Sequence, residues 1–259
     1  MTTNESTPAA RPLAGAHALL VGANGLIGNA VARLLVEAGA RTTIAARDAD
    51  ALDALRTALL GGRPGAEVTV HAVDVRDDAA VADLVLDASG PDGLDVAVNN
   101  VGLSHRPAPL EQLDLAVIDD VLAVSLRGVL VCLRAELGAM ADGGSIVNVA
   151  SSAGLAAAPG MSAYVAAKHG VVGLTRTSAV DHAARGVRVN AVAPGPIESG
   201  PIMRLGAEER DHVGQHVPLR RMGSANEVAQ AVVWLASPAA SYITGTVLAV
   251  DGGKRAGGA

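Results

Sequence analysis

The chain has no phenylalanine, one tryptophan, two tyrosines, two lysines and one cysteine in 259 residues. A core without aromatic bulk has to be filled by Ala, Val, Leu and Ile, and half of the residues are hydrophobic. The single Cys132 excludes an intrachain disulfide; within an apolar helical pattern it reads as a small buried side chain, not a reactive thiol. Lysine is confined to Lys168 and Lys254, and the net charge is −6. No basic run is available to follow a phosphate backbone, so no nucleic-acid partner is expected. No stretch of 18 consecutive apolar residues is present, so no membrane span is expected. Residues 1–12 are polar and contain proline, without the basic start and apolar run of a secretory leader. They read as a disordered N-terminal arm on a cytoplasmic protein.

What the chain does have is glycine, 30 residues of it, set in a regular alternation of short apolar runs and longer helical patterns. The runs predict strands at 17–22, 41–46, 67–73, 94–98, 145–150, 187–191 and 246–250. The helical patterns cover 26–38, 49–60, 77–89, 112–140, 162–184 and 226–236. Strands that are apolar on both faces and alternate with helices indicate an α/β fold. The expected architecture is a Rossmann-type doubly wound parallel sheet of about seven strands, with helices on both faces. No repeat or linker interrupts the pattern, so residues 13–259 read as a single domain. The irregular stretch 195–223 reads as a substrate lid.

Ligands of open parallel sheets bind beyond the carboxyl ends of the strands. The unusual residues of this chain fall there: Gly22 to Gly28, Arg47, Asp74, Asn99-Asn100, Ser151 and Pro194-Gly195. Gly22, Gly25 and Gly28 follow the first strand and open the first helix. Glycines there allow a tight turn and let backbone N–H groups approach a pyrophosphate at a helix N-terminus. Arg47 follows the second strand, where a dinucleotide's adenosine ribose would lie. A guanidinium there favours the 2′-phosphate of NADP(H) and leaves NAD(H) possible. Asp48 is the competing reading, either as an NAD ribose ligand or as the cap of the next helix.

Tyr164 and Lys168 are four apart on a predicted helix and share a face. A phenol with a pKa near 10 is a poor acid–base group at neutral pH, and a neighbouring ammonium lowers that pKa. Ser151 ends the preceding strand and can hydrogen-bond a substrate oxygen.

These residues resemble the short-chain dehydrogenase/reductase family, in its short single-domain branch, over about residues 13–253. Tyr164-Val165-Ala166-Ala167-Lys168 matches the family's Tyr-x-x-x-Lys, with Ser151 at the position of its serine. Asn99-Asn100-Val101-Gly102 resembles its Asn-Asn-Ala-Gly, and Asp74-Val75 its adenine contact. Pro194-Gly195-Pro196-Ile197-Glu198-Ser199 resembles the stretch that holds the nicotinamide carboxamide. Tyr242-Ile243-Thr244-Gly245 and Asp251-Gly252-Gly253 resemble its C-terminal signature. The resemblance implies hydride transfer between a nicotinamide and a small carbonyl or secondary alcohol, with Tyr164 as general acid/base. Ser151 and Lys168 would assist it. It implies cofactor contacts at Gly22, Asn24, Gly25, Leu26, Ile27, Gly28, Arg47, Asp74, Val75, Asn100, Val101, Gly102, Tyr164, Lys168, Pro194, Gly195, Ile197 and Ser199. It also implies a homotetramer packed through 112–140 and 162–184.

The chain departs from the family at three places. Leu26 stands where the short branch usually has glycine, Ser199 where it has threonine, and Ser125 where it commonly has a catalytic asparagine that holds a relay water. Ser125 is carried as a fourth catalytic candidate. The altered relay leaves room for isomerase, epimerase or lyase chemistry on the same Tyr/Lys pair. A dinucleotide-binding regulator without turnover is the other alternative. His105 lies in the loop after Gly102, and His212 and His216 lie in the lid; they read as surface histidines, with no metal site. Trp234 reads as a helix core residue. The pocket linings are mostly small and apolar, which favours a hydrophobic substrate.

Overall fold

The computed structural model describes residues 11–204 and 206–257. The expected arm at 1–12 therefore lies outside the described residues, apart from Arg11 and Pro12. Seven parallel strands form one sheet: β1 (His17–Val21), β2 (Arg41–Ala46), β3 (Val68–Ala72), β4 (Leu94–Asn99), β5 (Met140–Val149), β6 (Arg188–Pro194) and β7 (Val247–Val250). Their order is β3-β2-β1-β4-β5-β6-β7, which confirms the doubly wound sheet. The order reverses between β1 and β4, and this crevice is where such sheets bind ligands.

Adjacent residues of the central strands feed opposite cores. Leu20, Val98, Val147 and Val192 pack on one face with α1 (Leu26–Glu37), α2 (Ala49–Gly62) and α8 (Ala225–Ala236). Leu19, Ala97, Ile146 and Ala191 pack on the other with α3 (Asp78–Ala88), α5 (Val129–Ala139) and α6 (Ser162–His182). Full burial of each such Leu or Val contributes about 1.5–3 kcal/mol, so aliphatic residues alone can supply the core.

The expected helix over 112–140 is corrected. Asp114 caps a short α4 (Leu115–Leu122), its side chain accepting from the Ala116 N–H. A π-helical turn (Ala123–Gly128) then leads into α5, and Met140 already belongs to β5. The wider turn brings Gly128 against Val75, where a Cβ would lie 2.6 Å from a Val75 methyl. β5 likewise starts before the expected 145, with a register shift between Leu94↔Met140 and Val96↔Ser145. The 195–223 stretch has structure of its own, including α7 (Ala207–Gln215). α7 is polar nearly all round and so gives no apolar period. Trp234 is 43% exposed, against expectation, because α8 buries the stripe Val228, Ala229, Val232, Leu235 and Ala236 instead. No helix among the described residues is long and apolar enough to cross a membrane.

Candidate active site

β1 ends in a turn that only glycine can make. Gly22 has φ +89°, and a Cβ there would collide with the Asn100 carbonyl oxygen. Asn100 holds the turn from the β4 side, its Nδ2 donating to the Gly22 carbonyl at 2.8 Å. A Cβ on Gly28 would in turn strike the Gly22 carbonyl, so the first turn of α1 packs directly on the loop. Gly25, by contrast, has open space around its Cβ position. It precedes α1 without any side-chain cap, so the first N–H groups of the helix are left for another acceptor. Leu26, the departure from the family pattern, is half exposed and lines the cavity. Asn24 ties the loop to β2, donating to the Asp48 carbonyl at 3.1 Å, while its buried Oδ1 has no partner. An uncapped helix start and a glycine-only backbone approach fit a dinucleotide's pyrophosphate.

At the end of β2, Arg47 is exposed, lines the cavity and has no hydrogen-bond or ion-pair partner among the described residues. Asp48 is the N-cap of α2, its carboxylate accepting from the Ala51 N–H at 3.0 Å. Asp74, after β3, is engaged by Arg76, with Nη2–Oδ2 at 2.6 Å. The Arg76 hydrogen bonds hold the Asp74 carboxyl below its ordinary range.

The candidate catalytic cluster of Ser151, Tyr164 and Lys168 lies beside the ends of β4 and β5. Ser151 starts a short turn, Ser152–Gly154, and accepts from the Ala153 N–H at 3.2 Å. Gly154 lets that turn meet α6, where a Cβ would lie 2.7 Å from the Lys168 carbonyl oxygen. Lys168 is buried, and its Nζ donates to the carbonyls of Val101 at 3.0 Å and Val149 at 2.9 Å. Burial pulls its pKa down from 10.5 to about 8. Burial pushes the Tyr164 phenol above its usual 10, and hydrogen bonding with Ser151 opposes the rise. The expected depression of Tyr164 by Lys168 is thus corrected for this geometry. Nζ sits 5.8 Å from the ring centroid and is bound to carbonyls, so desolvation dominates.

After β6, Gly195 packs on Asp251, where a Cβ would lie 2.7 Å from the Asp251 Cα. Asp251 in turn accepts from the N–H groups of Gly253 and Arg255, which accounts for the C-terminal Asp-Gly-Gly. Ile197 bridges to Gly223 and pins the two ends of the 195–223 stretch together.

All of the expected cofactor residues except Gly28 line one cavity of about 740 Å³, together with Ser151. That volume lies within the range of cofactor and small-ligand sites. Ser104, Met161 and Ile202 also line it, from the loop after Gly102 and the 153–161 and 195–223 stretches expected to flank a substrate. Ser125 does not line it. Its hydroxyl donates to the Leu103 carbonyl at 2.8 Å and accepts from the Leu103 N–H at 2.7 Å. These two bonds fasten the loop after Gly102 to the π-helical turn, so the hydroxyl carried as a relay candidate is engaged by the Leu103 backbone. His212 and His216 stack edge to face at 4.3 Å, and no metal-binding group of residues occurs among the described residues.

Residues 22–255 match the family described as enoyl-(acyl carrier protein) reductase. The chain is 41% identical to cis-4-hydroxycyclohexanecarboxylate dehydrogenase of Sinomonas cyclohexanicum, over 92% of this chain and 96% of that one. It is 36% identical to levodione reductase of Leifsonia aquatica, over 92% and 93%. A crystal structure of levodione reductase superposes with a TM-score of 0.88 at 34% identity, covering 93% of this chain and 99% of the other. The chain belongs to the short-chain dehydrogenase/reductase family of oxidoreductases, whose members work with a nicotinamide dinucleotide.

Proposed function

We propose that the protein is an NADP(H)-dependent oxidoreductase that interconverts a ketone and a secondary alcohol on a small hydrophobic substrate. The observation that carries this reading is the meeting of Ser151, Tyr164 and Lys168 with the glycine loop and Arg47 in one cavity. Gly22 to Gly28 and the α1 N-terminus would hold the pyrophosphate, and Arg47 the 2′-phosphate. Asp74, Val75, Asn100, Val101 and Gly102 would flank the adenosine and ribose groups. Pro194, Gly195, Ile197 and Ser199 would hold the carboxamide. When bound, the nicotinamide supplies the hydride for the carbonyl carbon.

The chain's own residues handle the proton. A phenol held above its usual pKa stays protonated through neutral pH. Tyr164 therefore carries the proton that passes to the carbonyl oxygen as the alcohol forms, and takes it back in oxidation. Ser151 hydrogen-bonds the same oxygen and orients it. Two carbonyls use two of the three Lys168 N–H donors, and the third remains for the ribose hydroxyls. Ser125 positions the loop that carries Ser104 into the cavity wall.

The hydrophobic preference rests on Met161 and Ile202 in the cavity wall, and on a relative named for a cyclohexane alcohol. Exposed Leu115, Leu130 and Val180 on α4, α5 and α6 support a homotetramer through those helices. The lone, buried Cys132 suits a cytoplasmic setting. The test is nicotinamide absorbance with both cofactors against a panel of cyclic and open-chain ketones and alcohols, 4-hydroxycyclohexanecarboxylate included. Substrate conversion without net change in nicotinamide would replace this reading with an isomerase or lyase.

A further inference from the structure

Glu136 is a carboxylic side chain with no exposed surface, placed between the apolar Leu133 and Met140 of the buried stripe. It has one hydrogen bond, in which Asn99 Nδ2 donates to its Oε2 at 2.8 Å. Asn99 Nδ2 also donates to Asn148 Oδ1 at 3.1 Å. Asn148 Nδ2 continues to Thr175 Oγ1 at 3.0 Å, and that hydroxyl donates to the Val171 carbonyl at 2.8 Å. Four elements, α5, β4, β5 and α6, are thereby laced through one fully buried polar chain. Two atoms are left over, Glu136 Oε1 and Asn99 Oδ1, both buried and without partners. They belong to the same hydrogen-bonded pair of side chains. Both are acceptors if Glu136 is ionised, and an unmet buried acceptor is costly. One proton on the carboxyl turns one of them into a donor.

The chain also touches the site. Asn99 immediately precedes Asn100, which holds Gly22, and lies two residues before the Val101 carbonyl. Asn148 immediately precedes Val149, the other carbonyl on Lys168, and lies three residues before Ser151. We propose that Glu136, held as a neutral carboxylic acid, is a positioning residue that clasps the ends of β4 and β5 so that their carbonyls hold Lys168 in place.

Burial raises the Glu136 pKa to about 7, in accord with a neutral acid. The other titratable groups on α3, α5, α6, β4 and β5 are mostly exposed: Asp78, Asp83, Asp87, Arg134, Asp142, His169, Arg176 and Asp181. Those that are not exposed are Asp95, Cys132, Tyr164, Lys168 and His182. Burial pushes the Cys132 thiol well up, so it supplies no charge.

The proposal rests on Lys168 as a working residue of the site, but its test needs no turnover. The chain has only two lysines, so 13C-labelled lysine gives two side-chain signals, assigned by Lys254→Arg. In the free protein, Glu136→Leu should raise the Lys168 titration midpoint by about one unit or more, as the carbonyls loosen and water enters. Glu136→Gln offers the same shape with one donor and one acceptor, and should leave the midpoint unchanged. Loss of thermal stability in Glu136→Leu with an unmoved Lys168 midpoint overturns the positioning role. Should Glu136→Leu fail to fold, Glu136→Gln decides through melting temperature against pH. A group whose folded pKa is raised gives stability that is full below its unfolded value near 4.5 and is lost as pH rises through about 7. The wild type should therefore lose stability across that window relative to Glu136→Gln. A Glu136→Gln protein with the wild-type pH dependence, or with a displaced Lys168 midpoint, overturns the neutral-acid clasp. If turnover with nicotinamide is absent while these results hold, the function proposed above fails and the clasp stands.

Discussion

The two ends of the cavity are built on different physics. The end at β1 and β2 works with backbone and exposed charge: the Gly22–Gly28 turn, the uncapped start of α1, and Arg47 in solvent. The end at β4, β5 and α6 works with enclosed side chains: buried Lys168 on two strand-end carbonyls, and half-buried Tyr164 beside Ser151. Exposed charges are screened by salt within about 10 Å at 0.1 M, whereas buried groups are screened far less. Burial instead moves the pKa of whatever it encloses. Perturbations at the first end should therefore respond to ionic strength, and those at the second to pH.

The largest break in this contrast should come from Tyr164→Phe. It removes the proton at the reacting oxygen and keeps the ring that packs against the cluster of Val121, Ala163 and Ala167. General acid–base groups contribute about 10²–10⁴-fold, so turnover should fall by at least that factor while cofactor affinity holds. Turnover and cofactor titration on one preparation check this; near-normal turnover removes Tyr164 from the mechanism. Next comes Lys168→Met, which should weaken both cofactor affinity and kcat. It should also change stability with pH in a set direction. The folded pKa is depressed to about 8 from 10.5, so the unfolded chain binds more protons between those values. Wild-type stability should rise through that window on this account, and Lys168→Met should lose the rise. Equal slopes of melting temperature against pH in both proteins would contradict the buried-amine assignment.

The unequal legibility of the sequence follows the same division. Strands were readable because their residues are apolar on both faces, and the site was readable because its residues end those strands. Tyr164 and Lys168 were found through their helical spacing on α6. Features that break period or burial rules were not readable. The π-helical turn at Ala123–Gly128 leaves the apolar pattern continuous, so one long helix is what a 3.6-residue period reports. α7 buries only Gly214 and offers no pattern at all. Residue type alone puts Trp234 in the core, but its place beside the buried stripe of α8 leaves it exposed. Glu136 could have been found: Val129, Cys132, Leu133, Glu136 and Met140 lie at helical spacing, and a carboxylate among them signals a buried polar contact. The partners Asn99 and Asn148 come from two strands, so only the folded sheet brings them together.

A glycine pair sharpens the backbone half of the comparison. Gly28→Ala places a Cβ on the Gly22 carbonyl, a backbone atom that cannot swing aside. Overpacking of this kind costs about 1–3 kcal/mol, more than the 0.5–1 kcal/mol an alanine gains inside a helix. Gly25→Ala enters open space and should change stability by much less. Melting temperatures of the two variants test this. A Gly25→Ala protein as unstable as Gly28→Ala would show that the loop is not held by the contact between Gly28 and Gly22.

The smallest effects separate two neighbours at the end of β2. Arg47 lines the cavity with no hydrogen-bond or ion-pair partner among the described residues, while the Asp48 carboxylate is spent on the Ala51 N–H as the cap of α2. Arg47→Ala should weaken NADP(H) by about 1.5–3 kcal/mol, the range for a hydrogen bond to a charged group, and leave NAD(H) nearly unchanged. The loss should shrink as salt is added, because the guanidinium is exposed. Asp48→Ala should instead cost about 0.5–2 kcal/mol of stability, the usual loss of an N-cap, with little effect on cofactor choice. The measurements are kcat/KM for both cofactors at two ionic strengths, and denaturant midpoints for both variants. A carboxylate free to leave its cap could turn toward a ribose 2′-hydroxyl, and selectivity would then follow Asp48. A wild type that favours NAD(H), with Asp48→Ala and not Arg47→Ala abolishing the preference, would mean that the cap yields to the cofactor and that NADP(H) is the wrong assignment.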